Sequence, residues 1–298
     1  MNPYKRLLLI CDPAMHLSPA MTRAQALAGS SSAVLHMVAL GSLPPSLRIL
    51  DETLQDRARL DWLEKHQTWL DDQCQLLSAR GIDVSAQALW SDEPMKEVLR
   101  LAEDMKADLL IKDREYEPAL RRALITPLDW QVLRECAVPL HLVSVAEHAL
   151  PRKVVAAIDL SQSDPQIDAV NERIIEAAQN FAVQCDADLH LLQAYEAPSS
   201  FLAYAAGPVA WTKEMQEEAS GRAQTRMARL GERFGVPQHY QHLLKGPATK
   251  VIAQFAAEQH MDVVVMGTLY HSGLTKVLGS TTEQALYQVP SSILAIRP

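Results

Sequence analysis

The chain is written twice. Lys5-Arg-Leu-Leu-Leu-Ile-Cys-Asp12 is matched by Lys153-Val-Val-Ala-Ala-Ile-Asp159, each a basic start, an apolar run and an aspartate at its carboxyl end. Ala33-Val-Leu-His36-Met-Val pairs with Asp188-Leu-His190-Leu-Leu, Pro94 with Pro247 at a helix start, and Ala107-Asp108-Leu-Leu-Ile with Met261-Asp262-Val-Val-Val. Asp12 and Asp159 lie 147 apart, whereas His36 and His190, Pro94 and Pro247, and Asp108 and Asp262 lie 154, 153 and 154 apart. A shift this constant from the second strand onward points to a duplicated domain with a few residues added early in the second copy.

Within each copy, short apolar runs alternate with longer amphipathic stretches such as Leu54–Leu77, Met95–Met105, Ile167–Phe181 and Thr212–Phe234. That alternation predicts βαβ units around a parallel sheet covered on both faces. Strands are expected at 5–11, 33–40, 83–90, 108–112 and 139–145, then at 153–159, 187–194, 238–244, 262–267 and 292–297. The fold class is therefore α/β, with two tandem doubly wound five-stranded parallel-sheet domains at 1–147 and 152–298, divided near His148-Ala-Leu-Pro-Arg152. A length of 298 residues suits two such domains.

Composition narrows the partners. Twenty-eight Lys and Arg against thirty-six Asp and Glu leave a charge of −8, which repels phosphate polymers and anionic membranes. No nucleic acid is expected as a partner. Lys5-Arg6 precede five apolar residues, Leu7 to Cys11, too short a run for a signal segment or a membrane span, so the start reads as a first strand of a cytoplasmic protein with no membrane insertion. Cys11, Cys74, Cys136 and Cys185 show no CxxC and no metal-ligand spacing, and read as buried free thiols. Neither a nucleophile elbow, an HExxH, a Walker A motif nor a paired-carboxylate spacing is found.

The stretch that carries chemistry is Asp262-Val-Val-Val-Met266-Gly267-Thr-Leu-Tyr270-His-Ser-Gly273-Leu-Thr-Lys-Val-Leu-Gly279-Ser280-Thr281-Thr-Glu283. An apolar strand runs into a glycine, a loop follows, and Gly-Ser-Thr opens a helix, an arrangement whose free N–H groups and hydroxyls suit an anion. In an open doubly wound sheet the ligand crevice lies at the carboxyl ends of the strands where the order reverses, and Asp159 and Gly267 both stand at such ends.

These residues resemble the universal stress protein family, and among its members the tandem E type. The family's phosphate loop, Gly-x2-Gly-x9-Gly-Ser/Thr, is similar to Gly267, Gly279-Ser280 and the Glu283-led helix, with Ile296-Arg297-Pro298 closing the last strand. Gly246-Pro-Ala-Thr-Lys-Val-Ile252 resembles the family's helix start, and Thr126-Pro-Leu-Asp-Trp130 its E-type segment. The resemblance implies a strand order of 3-2-1-4-5, pairing of domains through the last strands, and ATP held without much turnover, with magnesium accompanying it. It places Asp159 near the nucleoside, the backbone of Ala194 at the base, and Met266, Gly267, Gly273, Gly279, Ser280 and Thr281 at the phosphates.

Two departures bear on that expectation. Tyr270 stands where the second loop glycine belongs, and Gly267 to Gly279 is twelve positions instead of thirteen. In the first copy the loop, from Lys112 to Thr126, has no glycine, and Asp113 stands where Gly267 does, where a carboxylate repels phosphate. Nucleotide is therefore expected in the second domain only, and Arg114, Arg121 and Arg122, beside Glu115 and Glu117, read as a solvated surface.

Other readings stay open. Tyr195 to Trp211 is apolar with two prolines, fit either to line a pocket for an apolar or lipid-like small-molecule ligand or to pack on a second domain or subunit. A ligand-free scaffold, a homodimer and slow ATP hydrolysis through Asp159 and Glu283 are the remaining alternatives. His36 and His190, at equivalent strand positions, read as structural histidines, and Trp62 and Trp69 as a packing stripe on one helix.

Overall fold

Leu7, Leu8 and Leu9 are fully buried in succession, as a central parallel strand covered on both faces requires. The computed structural model describes residues 3–114, 128–144, 147–161, 164–195, 213–272, 275–278 and 288–297. It divides into two compact units, Asn2–Leu150 with Ser292–Arg297, and Pro151–Ser291.

In the first unit the chain runs β1 (Arg6–Ile10), α1 (Pro19–Ser31), β2 (Val34–Gly41), α2 (Glu52–Ser78), β3 (Val84–Trp90), α3 (Pro94–Asp104), β4 (Leu109–Asp113), α4 (Leu128–Glu135) and β5 (Leu140–Val143). Its strands stand in the order β3-β2-β1-β4-β5, all parallel, with Leu8 opposite both His36 and Leu110. The helices begin where the sequence supplies caps. Ser18 Oγ accepts the Met21 N–H ahead of Pro19, and Asp51 Oδ1 accepts the Leu54 N–H, satisfying donors that the first turn leaves open.

The second unit repeats the pattern with β6 (Lys153–Ile158), α5 (Pro165–Cys185), β7 (Asp188–Tyr195), α6 (Lys213–Phe234), β8 (Gln241–Lys245), α7 (Ala248–Glu258) and β9 (Val263–Gly267). The order is β8-β7-β6-β9, again parallel. The expected start of the eighth strand at 238 is instead a 3-10 turn over Gln238–Tyr240. After β9 comes an antiparallel hairpin, β10 (Leu269–Ser272) and β11 (Thr275–Leu278).

The last strand, β12 (Ser292–Ile296), runs antiparallel to β5, with Ile293 opposite Leu142. Ser292 Oγ accepts the Ser144 N–H, and Arg297 donates to the Glu135 carbonyl. The sequence assigns 292–297 to the second half; by their contacts these residues belong with the unit built from the first.

One device is repeated almost atom for atom. The Asp108 carboxylate accepts the N–H groups of Lys5 and Arg6, and Asp262 Oδ2 accepts those of Arg152 and Lys153, at 2.8 and 3.0 Å. Each aspartate precedes the fourth strand of its unit and fixes the start of the first. The duplicated Asp-Leu/Val signature is therefore a register pin between neighbouring parallel strands.

Candidate functional site

In the second unit β6 lies between β7 and β9, so the chain leaves its carboxyl end toward opposite sides of the sheet, the position where doubly wound folds open a crevice. Ile158 pairs with Gln193 and Ala156 with Val265, which brings Asp159, Ala194, Met266 and Gly267 to one end of the sheet. The other residues assigned to the phosphates, Gly273, Gly279, Ser280 and Thr281, lie outside the described residues.

The turn after β6 is held from three sides. Asn171 of α5, buried to 2% exposure, accepts the Asp159 N–H through Oδ1 at 2.9 Å and donates Nδ2 to the Asp159 carbonyl at 2.6 Å. Gln193 of β7 accepts the Leu160 N–H at 2.6 Å and donates to the Ala194 carbonyl. Arg226 of α6 donates to the Leu160 carbonyl at 2.7 Å and pairs with Asp168. Asp159 itself is exposed, and its Oδ1 accepts the Ser161 N–H at 2.9 Å. The result is a preorganised turn that presents a carboxylate at the switch point, every buried polar group of the clamp being paired.

Asn171, Gln193 and Arg226 escape a reading of the sequence alone. The available signal was polarity in the wrong place, since Asn171 interrupts the apolar stripe of Ile174, Ile175 and Ala178, and Gln193 an apolar strand.

Past Gly267 the structure departs from the expected loop. Residues 269–272 and 275–278 form a ladder, with Tyr270 opposite Val277 and Ser272 opposite Thr275. A ladder engages backbone groups with one another that an open phosphate loop would offer to an anion. A Cβ at Gly267 would stand 3.4 Å from Ile174 and 3.5 Å from Val170, ordinary contact distances, so α5 passes over the strand end without itself requiring a glycine there.

Comparison with known proteins places this architecture. The sequence model of the universal stress protein family matches residues 3–144 and again 151–297. The chain belongs to the universal stress protein family. It is 24% identical to universal stress protein E of Escherichia coli K12 over 100% of this chain and 95% of that one, and 27% identical to universal stress protein E of Photorhabdus laumondii over 100% and 96%. A functionally unknown protein from Pseudomonas aeruginosa PAO1, 24% identical, shares the fold with a TM-score of 0.75 over 99% of this chain and 93% of that one. The family is one of stress response, and this chain is a tandem member of it.

The first universal stress protein unit is built differently at the equivalent place. Asp113, at the end of β4, turns its Oδ1 to the Ala20 N–H at 2.8 Å, in the first turn of α1. An internal carboxylate thus occupies the positive end of that helix, where the second unit has Gly267. Arg121 and Arg122 lie outside the described residues, as does 196–212, the bulk of the apolar stretch.

The paired histidines are structural in one unit and coupled in the other. His36 Nδ1 meets Ser85 Oγ at 2.8 Å and Nε2 meets Gln87 at 3.0 Å. His190 Nδ1 meets His242 Nε2 at 3.0 Å, with the Tyr240 ring 4.3 Å away, at the amino ends of β7 and β8 and so opposite the crevice. Burial first, and His242 next, hold His190 down to about 4. Cys11, Cys136 and Cys185 are buried free thiols as expected, while Cys74 is half-buried; burial foremost, with Asp113 nearby, pushes Cys11 up to about 12. Trp62 packs edge-on to Trp90 at 5.6 Å. Among the described residues no helix is long and apolar enough to cross a membrane.

Proposed function

We propose that this chain is a ligand-binding regulatory protein of the stress response whose second unit takes ATP or a related nucleotide at the carboxyl ends of β6 and β9, without efficient turnover. The observation that carries it is the turn at Asp159, clamped by Asn171, Gln193 and Arg226. A site organised in advance spends less of its binding energy on ordering. In this reading Asp159 meets the nucleoside, the backbone at Ala194 the base, and Met266, Gly267, Gly273, Gly279, Ser280 and Thr281 the phosphates.

The clamp and Gly267 fit such a ligand. Magnesium would come with the phosphates, because this ion keeps much of its water and is held largely by substrate phosphates. Oδ1 of Asp159 accepts from its own turn, which holds the exposed carboxylate in place for contact with a ligand.

The ladder between β10 and β11 favours a second reading, in which the backbone beyond Gly267 is committed to itself and the crevice holds an apolar ligand or serves as a scaffold. Denaturing freshly purified protein and identifying the released small molecules decides between them. Nucleotide at one per chain, lost in Gly279→Val and Ser280→Ala, supports the first reading. A lipid-like mass supports the second, as does an empty protein with no thermal shift in ATP. Magnesium-dependent phosphate release that Asp159→Ala abolishes would show turnover instead.

A further inference from the structure

The two units fold the turn after their first strand in the same way and secure it with different chemistry. Asp12 Oδ1 accepts the Ala14 N–H at 2.7 Å, as Asp159 Oδ1 accepts the Ser161 N–H at 2.9 Å. The next residue's carbonyl is then gripped from the long helix between the second and third strands of the unit. In the second unit that grip is Arg226 on Leu160, at 2.7 Å. In the first it is His66 Nε2 on Pro13, at 3.0 Å.

Arginine keeps its charge at every accessible pH; histidine does not. The other ring nitrogen of His66, Nδ1, faces the Trp62 carbonyl at 2.8 Å. Carbonyl oxygens only accept, and a neutral imidazole has one N–H, so both bonds exist together only in the imidazolium. The ring is 4% exposed and stacks on Trp62 with centroids 3.7 Å apart, a face that attracts a cation. Trp62 in turn packs against Trp90 over Gly41, where a Cβ would stand 2.7 Å from Trp90 and 2.9 Å from Trp62.

Among the described residues, the second turn has further supports that the first lacks. Ala39 stands where Gln193 does, and α1, whose C-cap Ser32 lies 154 positions before Asp186, begins at Pro19, past the position that matches Asn171. From these observations we infer that His66 is a proton-dependent latch joining α2 to the turn at Pro13, the titratable counterpart of a permanent latch at Arg226. On loss of the proton one nitrogen presents a lone pair to a carbonyl and that bond is lost. The Trp62 bond is local to one helical turn, so the bond across to Pro13 is the one released. Beside the latch, Ala14 and Met15 face Glu64, Lys65, Thr68 and Trp69 across a cleft of about 660 Å³, so the latch fixes one wall of an open space.

Other charges surround the latch. The loop carries Asp12 and His16, whose side chains are 3.7 Å apart, and α2 sets Asp61, Glu64, Lys65 and Asp72 on the cleft. Beneath α2, the titratable side chain on β2 and β3 is His36, held by Ser85 and Gln87. His16, beside Asp12, needs its own control.

Hydrogen exchange of the Ala14 and Met15 amides in the full chain, corrected for the chemical rate, tests the latch at pH values of about 5.5 and 8. Protection is expected to fall about tenfold at the higher pH, with the Ser161 amide unchanged. His16→Gln should keep that dependence, and His66→Arg should hold protection at both values. Nitrogen NMR of histidine-labelled wild-type protein, which needs no variant, should show both His66 ring nitrogens protonated at the lower pH. Equal protection at the two pH values, a singly protonated His66 ring at the lower one, or loss of the dependence in His16→Gln overturns the inference.

Discussion

Asn171 holds Asp159 by both backbone groups at once, accepting its N–H at 2.9 Å and donating to its carbonyl at 2.6 Å. Removing that amide leaves two main-chain groups beside a buried cavity without partners, each costing about 1–3 kcal/mol unless water replaces the amide. Asn171→Ala is expected to lower stability by about 2 kcal/mol and to raise exchange of the Asp159 and Leu160 amides. Asn171→Asp should be worse, because the carboxylate keeps the acceptor, loses the donor and buries a charge. Urea denaturation and hydrogen exchange check both, and a wild-type midpoint in Asn171→Ala would remove the clamp from the account.

Asp108 and Asp262 do the same work in the two units, so their variants should behave as a matched pair. Asp262→Ala frees the N–H groups of Arg152 and Lys153, and Asp108→Ala those of Lys5 and Arg6. Each change is expected to cost about 1–2 kcal/mol, and each should loosen the first strand of its own unit alone. Amide exchange at β1 and β6, measured in both variants, reports this directly. Loosening of both strands by either variant would contradict a local pin.

These pins also show why so much of the fold was legible. A repeat supplies the same answer twice, so the aspartates, the strand order and the helix starts at Pro94 and Pro247 could be read as a pattern. The clamp could not, because Asn171 and Gln193 bond to backbone and leave no partner motif in the sequence. Arg226 is one of many charges on α6, and only the fold selects it. The β10–β11 hairpin was hidden for a different reason. Leu269–Leu278 is short, and a sequence glycine such as Gly273 suits a hairpin and a glycine-rich loop equally. The pairing of β12 with β5 follows from no local pattern and is expected only from the family resemblance, which implies pairing through the last strands.

Asp113 separates charge from hydrogen bonding at the start of α1. Its Oδ1 accepts the Ala20 N–H while its Oδ2 is buried without a partner among the described residues. Asp113→Ala removes an acceptor from the helix start and is expected to cost about 1 kcal/mol. Asp113→Asn keeps an acceptor and relieves an unpaired buried oxygen of its charge, so its cost should be smaller. Thermal denaturation of the two variants checks the order, and a larger loss in Asp113→Asn would make the charge, not the hydrogen bond, the stabilising part.

The His190–His242 pair gives the second unit a dependence on acid whose sign follows from the shift. His190 is held down from its ordinary 6.5 to about 4, by burial foremost and then by His242, and burial lowers His242 as well. In the unfolded chain the imidazole takes its proton near 6.5, while in the folded unit it resists until about 4. The unfolded state therefore binds more protons across that interval, and stability is complete above it and lost as pH falls from 6.5 toward 4. His141, buried and held down to about 3, by burial first and then by Arg23, acts with the same sign in the other unit. His190→Gln is accordingly expected to flatten only the second unit's response, read as exchange of β7 amides against those of β5 in mild denaturant. Below pH 4 the two proteins should lose stability in parallel as far as His190 is concerned, because its folded and unfolded forms are then both protonated. A β7 response as steep in His190→Gln as in wild type would assign the acid sensitivity to other groups.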